Sequence, residues 1–213
     1  MKISVPRGQG PYITNALRQM IYTRRPVVRP IAFSTGNSNV LSAGNLVIED
    51  MLNFSSALTK LNYCCGQINN RVGEIFSKTY SFKGVLHEQD LNSGDLKVLS
   101  NTNNEILHSA PDETGFPATI TVTIYFRIAC GCFNSEDNLS YLLNYLGDGS
   151  NVDVSRYIML SSRHCDVDVF THTIETFPDH DDVELSVDVF SRESEKEILM
   201  QAKQALVDCL AKI

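Results

Sequence analysis

The chain has 213 residues and a net charge of −7, and 43% of its residues are hydrophobic while 20% are charged. This composition is typical of a globular protein, and no stretch approaches the roughly 20 apolar residues that a membrane-spanning helix requires. The negative charge argues against independent binding to nucleic acid, which depends on Lys and Arg side chains that neutralise phosphates. Because the first residues lack the apolar core of a secretion signal, we expect an intracellular location.

The first predicted element is a helix near residues 12–24. Its apolar residues recur at helical spacing and form one stripe, which comprises Ile13, Ala16, Leu17, Met20 and Ile21. Pro11 suits the first turn of this helix, and Pro26 disfavours helix at the residue before it, so both ends are marked. An extended run over residues 27–33 and a polar turn over residues 34–39 follow.

A second helix is predicted over residues 44–61, because apolar residues share one face there: Val47, Met51, Phe54, Leu58 and Leu61. The middle of the chain combines strand patterns with polar loops. Its clearest strand covers residues 119–127, where apolar and polar side chains alternate. A short helix is predicted over residues 138–146.

The last part of the chain is predicted to form two strands and a helix. The strands cover residues 167–177 and 183–189, and residues 178–181 are predicted to form the hairpin link. A capping box at residues 194–197 marks the start of the final helix. Its apolar stripe comprises Ile198, Leu199, Ala202, Leu206, Cys209, Leu210 and Ile213, at a spacing close to that of a coiled-coil seam. This pattern predicts a helix that packs against a partner.

Several segments resemble one protein family in the same order along the chain. The segment from Arg7 to Arg18, RGQGPYITNALR, resembles the glycine turn and "NALRR" helix of the RNA polymerase α-like assembly subunits. This family comprises the bacterial α subunit, its archaeal counterpart and the third-largest eukaryotic subunit. The later segments that resemble the family are residues 27–33 with 47–50, 85–98, 120–131 and 170–176.

The resemblance implies an α+β fold with a split assembly domain of mixed sheet and amphipathic helices. Residues 1–62 and 163–213 would form this domain, and residues 63–162 would form a strand-rich insert domain. The implied function is that of a non-catalytic assembly subunit of a DNA-directed multisubunit RNA polymerase, without a cofactor. The divergence of the sequence suggests a viral member, in the cytoplasm or nucleus of a cell, in a viral factory or in a virion.

The resemblance also implies partners and the residues that contact them. The expected dimer interface comprises Ile13, Ala16, Leu17, Met20, Ile21, Leu199, Ala202, Leu206, Cys209 and Leu210. Asn15 and Arg18 are expected to contact the second-largest and largest polymerase subunits, although Gln19 stands where the family has a second arginine. A heterodimer with a second α-like subunit is favoured, because the middle segments look archaeal and eukaryotic. The alternatives are that the helical stripes cover only this chain's own sheet and that Arg18 is a solvated arginine.

Two other classes of protein compete with this interpretation. An enzyme could use Asp179 to Asp182 to bind a divalent metal, or His164 and Cys165 as base and nucleophile. Contiguous ligands rarely surround one ion, and adjacent residues of a strand point to opposite faces, so no metal or catalytic site is predicted. A viral capsid or tail protein would explain the polar middle but not the ordered resemblance. The six cysteines are predicted to be buried thiols.

Overall fold

A computed structural model describes residues 1–35, 51–100, 102–147, 152–165, 167–189 and 194–211. It confirms a mixed α+β protein with several antiparallel sheets. None of the helices in these ranges is both long and apolar enough to cross a membrane. The chain forms two compact units, which we call the terminal unit (Met1–Pro26 with Cys165–Ile213) and the central unit (Val27–His164).

The helices and strands are numbered in chain order. The helices are α1 (Gly10–Arg24), α2 (Met51–Lys60), α3 (Ser135–Leu146) and α4 (Glu195–Leu210). The strands are β1 (Lys2–Pro6), β2 (Val27–Ser34), β3 (Tyr63–Cys64), β4 (Ile75–Lys83), β5 (Val85–His87), β6 (Lys97–Val98), β7 (Glu105–His108), β8 (Thr119–Ala129), β9 (Gly131–Phe133), β10 (Ile158–Met159), β11 (Ser162–His164), β12 (Val167–Thr176) and β13 (His180–Val189).

The terminal unit is a three-stranded antiparallel sheet covered by two helices. The strand order is β1-β13-β12, so β13 lies in the centre. Along β13 every second side chain is buried, including Val183, Leu185 and Val187, which contact α1 and α4 in one apolar core. Alternation of this kind is the signature of a strand with one wet face. The predicted strand pattern is therefore confirmed here.

The central unit is built around a four-stranded antiparallel sheet in the order β10-β2-β8-β4. All residues of β2 except the last are buried, because both faces of this strand are covered. On one face Phe33 packs with Phe54 of α2, and on the other Ile31 packs with Leu142 of α3. Pro30 lies where the β2–β8 register shifts, and such an irregularity is where a proline is tolerated inside a sheet.

The boundary between the units differs from the predicted one. Residues 27–62 were assigned to the assembly domain, but β2 and α2 belong to the central unit. The physical reason is that β2 is hydrogen-bonded between β10 and β8, and α2 contributes Phe54 and Leu58 to the same core. Only residues 1–26 of that first segment lie with the end of the chain.

Most predicted elements are confirmed, with small differences at their ends. The helix predicted at 12–24 begins at Gly10, and the helix predicted at 138–146 begins at Ser135. The helix predicted at 44–61 is present from Met51, while residues 44–50 and most of the turn at 34–39 lie outside the described residues. The hairpin link is shorter than predicted, since β13 already begins at His180.

A buried histidine joins β11 to the start of β2. The His164 ring is fully buried, and its Nδ1 lies 2.7 Å from the Val27 carbonyl oxygen, which can only accept a hydrogen bond. The Ser162 hydroxyl lies 3.0 Å from Nε2, so it donates to the unprotonated nitrogen. Burial lowers the pKa of His164 from 6.5 to about 4, assisted by the charges of Arg127 and Arg29 and opposed by the Val27 bond. The neutral ring therefore holds the two strands together.

This histidine makes the stability of the chain depend on pH. Because the folded pKa is below the unfolded one, the stabilisation is complete above the unfolded pKa and is lost as the pH falls towards the folded pKa. Between about pH 7 and about pH 5, we expect the wild type to lose about 2 kcal/mol more unfolding free energy than His164→Asn. Urea denaturation at both pH values measures this difference. His172→Asn, at an exposed position of β12, is the control that should behave as wild type, and parallel curves for His164→Asn would contradict the assignment.

Candidate subunit interface

The two helices of the terminal unit pack against each other and against the same face of its sheet. Leu17 and Ile21 of α1 are buried, as are Ile198, Leu199 and Ala202 of α4. The α4 helix begins as the sequence predicted, because the Ser194 and Glu197 side chains each bond to the other's backbone amide in a capping box. One helix comes from each end of the chain, and together they form a continuous helical surface.

The structure separates the predicted interface residues into three groups. Leu17, Ile21, Leu199 and Ala202 are buried in the unit's own core. Those that are half-buried are Ile13, Ala16, Met20, Leu206 and Cys209. Leu210 is 60% exposed. Helical periodicity identifies an apolar stripe but not what covers it, so only the second and third groups remain available to a partner.

A second apolar stripe runs along the outer side of α4. Met200, Val207 and Leu210 are 57%, 50% and 60% exposed, although all three are large apolar side chains. Lys196 lies one turn before Met200, and Lys203 lies between Met200 and Val207, so both lysines fall on the coiled-coil spacing of this stripe. Met200 and Val207 are not among the predicted interface residues, because the inner stripe of the same helix has more apolar residues and was assigned to the partner. The sequence does show this second stripe, because Met200 and Val207 repeat at the same spacing as Leu199 and Leu206, one position later.

This outer stripe borders a groove of about 560 Å³ within the terminal unit. The residues that line the groove are Met1, Glu195, Lys196, Leu199, Met200, Lys203, Gln204 and Val207. The lining therefore combines apolar side chains with two lysines, one glutamate and one glutamine. A concave apolar surface with charged neighbours is the type of surface into which an amphipathic helix packs.

The exposed face of α1 carries the residues predicted to contact the large subunits. Asn15 and Arg18 are both exposed, and Tyr12 on the same face is 77% exposed. Gln19, which replaces the second arginine of the family, is also exposed. These side chains recur at helical spacing and leave one polar and aromatic surface along α1.

A buried carboxylate fixes the turn that leads into α1. Asp181 is 1% exposed, and its Oδ2 accepts hydrogen bonds from the backbone amides of Gly8 at 2.8 Å and Gly10 at 3.0 Å. These amides, Gly10 before Gly8, hold the pKa of Asp181 below its usual range. Gly8 has φ +82°, a conformation that favours glycine. The turn therefore positions α1 with a carboxylate at its positive end.

The geometry around Asp181 also bears on the metal hypothesis. Asp181 points into the core, whereas the neighbouring His180 lies with its Nδ1 2.7 Å from an Asp179 carboxylate oxygen, and this bond raises the pKa of His180. The Asp182 carboxylate accepts from the Ser4 hydroxyl at 2.7 Å. No group of metal-ligating side chains in the described ranges could hold an ion.

The other proposed catalytic pair is engaged in structural bonds. Both nitrogens of His164 are bonded, as described above, and the Cys165 sulfur lies 3.4 Å from the amide of Val167, from which it accepts. The prediction for the cysteines is wrong in part. Cys165 is buried, but Cys132 is exposed, and the other four thiols are half-buried. Cys132 is the exposed residue of β9, and its neighbours Gly131 and Phe133 are half-buried.

No model of a known protein family matches the chain, and the search of curated proteins likewise gave no similar sequence.

The close contact between Gly10 and Asp181 predicts the effect of adding one methyl group. A Cβ at Gly10 would lie 3.0 Å from Ile174 Cγ2 and 3.1 Å from Asp181 Oδ2, so the turn would have to shift. We expect Gly10→Ala to lower the unfolding free energy by about 1–3 kcal/mol, as overpacking does. Gly66→Ala is the matched control, because its added Cβ meets only one atom, at 3.9 Å. Equal stability of the two variants in urea denaturation would show that the turn is not tightly packed.

Proposed function

We propose that the chain is a non-catalytic assembly subunit of a DNA-directed multisubunit RNA polymerase. In this role it pairs with a second α-like subunit through α1 and α4 and docks the largest and second-largest subunits. The observation that carries the proposal is the juxtaposition of α1 and α4, whose outer apolar residues are uncovered. The ordered resemblance of five segments to the α-like family supports the same role.

The α4 helix exposes large apolar side chains to water. Met200, Val207 and Leu210 lie along one side of the helix and expose half or more of their surface. Removing apolar surface from water contributes about 25 cal/mol per Å², so this stripe favours association. Large apolar side chains exposed together along one side of a helix are typical of a protein interface.

We also propose the type of polymerase and the partner to which the subunit belongs. The divergence of the sequence supports a viral polymerase, assembled in the cytoplasm or nucleus, in a viral factory or in a virion. The expected partner in the dimer is an unlike, smaller α-like subunit. A viral capsid or tail protein is the alternative, and it would assemble into large particles of one chain.

Replacing the outer stripe tests the assembly role without disturbing the core. We expect Met200→Glu with Val207→Glu to reduce recovery of the small partner subunit at least about tenfold, because two charges would be buried at the interface. The measurement is affinity purification of the tagged chain from its native source, with quantitative mass spectrometry of the co-eluting proteins. Leu17 is unsuitable for this purpose, since it is buried in the chain's own core.

The matched control is Val72→Glu with Val154→Glu, two residues of the central unit that are 54% and 48% exposed. This control should recover the partner as the wild type does. Recovery of no polymerase subunit by the wild type, or its elution as a large particle of one chain, would reject the assembly role.

The exposed face of α1 gives a second, separable test. Arg18→Ala should reduce recovery of the two large subunits by about tenfold and leave the small partner bound, because charge-assisted hydrogen bonds from arginine contribute about 1.5–3 kcal/mol. Arg156→Ala, which removes an exposed arginine of the central unit, is the matched control. Equal recovery of the large subunits by both variants would show that Arg18 is a solvated arginine that does not contact them.

A further inference from the structure

The lysines beside the outer stripe of α4 restrict what can occupy the groove. Lys196 and Lys203 both line it, and they stand within the repeat formed by Met200, Val207 and Leu210. In a helical seam, charged residues next to apolar positions determine which partner is accepted. The groove therefore presents positive charge on an otherwise acidic chain of net charge −7.

The carboxylates of α4 make their closest polar contacts with groups other than these lysines, although Glu195 also lines the groove. Glu195 lies 3.9 Å from the Met1 nitrogen, and Asp208 accepts a hydrogen bond from the Gln204 side chain at 2.8 Å. Glu197 is bonded to Ser194 in the capping box. A partner that supplies carboxylates would gain ion pairs at the margin of an apolar contact.

At the positions of the outer stripe, a second copy of α4 would supply lysine as its only charged side chain. If α4 packed against its own copy through the outer stripe, Lys196 and Lys203 would recur on both sides of the contact. The α1 helix contains neither Asp nor Glu and exposes Arg18. Like charges brought together at an interface disfavour the complex by several kcal/mol.

We propose that the α4 groove binds an amphipathic helix of an unlike partner, with Asp or Glu residues beside its apolar stripe, and rejects a second copy of this chain. The inference rests on the proposed function in that the groove belongs to the same subunit interface. It adds the charge that the partner helix carries beside its apolar stripe, which the resemblance does not give.

Two labelled helical peptides with the same apolar stripe provide the probe. One carries Glu at the flanking positions and the other carries Lys, and fluorescence anisotropy measures their binding to the full chain. We expect the wild type to bind the Glu peptide at least about tenfold more tightly, and Lys196→Glu with Lys203→Glu to reverse this preference. The control Lys83→Glu with Lys97→Glu makes the same change of charge at exposed positions of the central unit and should keep the wild-type preference.

Light scattering of the wild type alone completes the experiment. We expect a monomer at about 10 μM, a concentration at which an obligate dimer would be assembled. Equal binding of the two peptides, binding of neither, or a homodimer that Met200→Glu dissociates would overturn the inference. If polymerase subunits are still recovered in the purification described above, these results reject only the charge selection. If the peptides show no charge preference and the purification also recovers no polymerase subunit, the assembly role is rejected as well.

Discussion

The buried carboxylate of Asp181 is the interaction on which the arrangement of the terminal unit depends. Its Oδ2 binds the amides of Gly8 and Gly10, and it thereby connects the central strand β13 to the first turn of α1. The Gly10 amide is one of those that a helix leaves without an intrahelical partner at its N-terminus, where the helix dipole also favours an anion. With α1 fixed at this end, Leu17 and Ile21 lie on the sheet beside α4. The helical surface that we assign to subunit pairing is therefore a consequence of one charged contact.

The α4 helix carries two apolar stripes that differ in their exposure to water. Its inner stripe, with Leu199 and Ala202, is buried against the sheet and stabilises the unit itself. Its outer stripe, with Met200 and Val207, contributes little to that core, and about half of its surface remains in contact with water. The residues that stabilise the unit therefore differ from those that the proposed function assigns to a partner.

The elements could be predicted from local pattern, whereas their partners could not. Apolar periodicity predicted α1, α4 and β8, because spacing along the chain reports directly on which face is buried. The same periodicity led to the prediction that Leu17 contacts a partner subunit, because an apolar stripe does not show which surface covers it. In the structure Leu17 is buried in the core of the terminal unit. Residues 27–62 were placed in the wrong unit because β2 pairs with β8, far along the sequence. Because it lies in a run of acidic residues, Asp181 was predicted to belong to the hairpin link. Its spacing of two residues from Val183 and four from Leu185 already indicated that all three side chains share the core face of β13.

The order of the segments bears on how the terminal unit folds. The α1 helix and the β1 strand come from the start of the chain, while β12, β13 and α4 come from its end. Contacts between such distant segments are slow to form, because a long loop must close before they stabilise the fold. Leu17 and Ile21 of α1 have no core to enter until β13 and α4 are present. Because the groove is lined by both Met1 and α4, it exists only when the two ends have met. A partner that recognises this groove therefore recognises a folded chain and not a partly folded one.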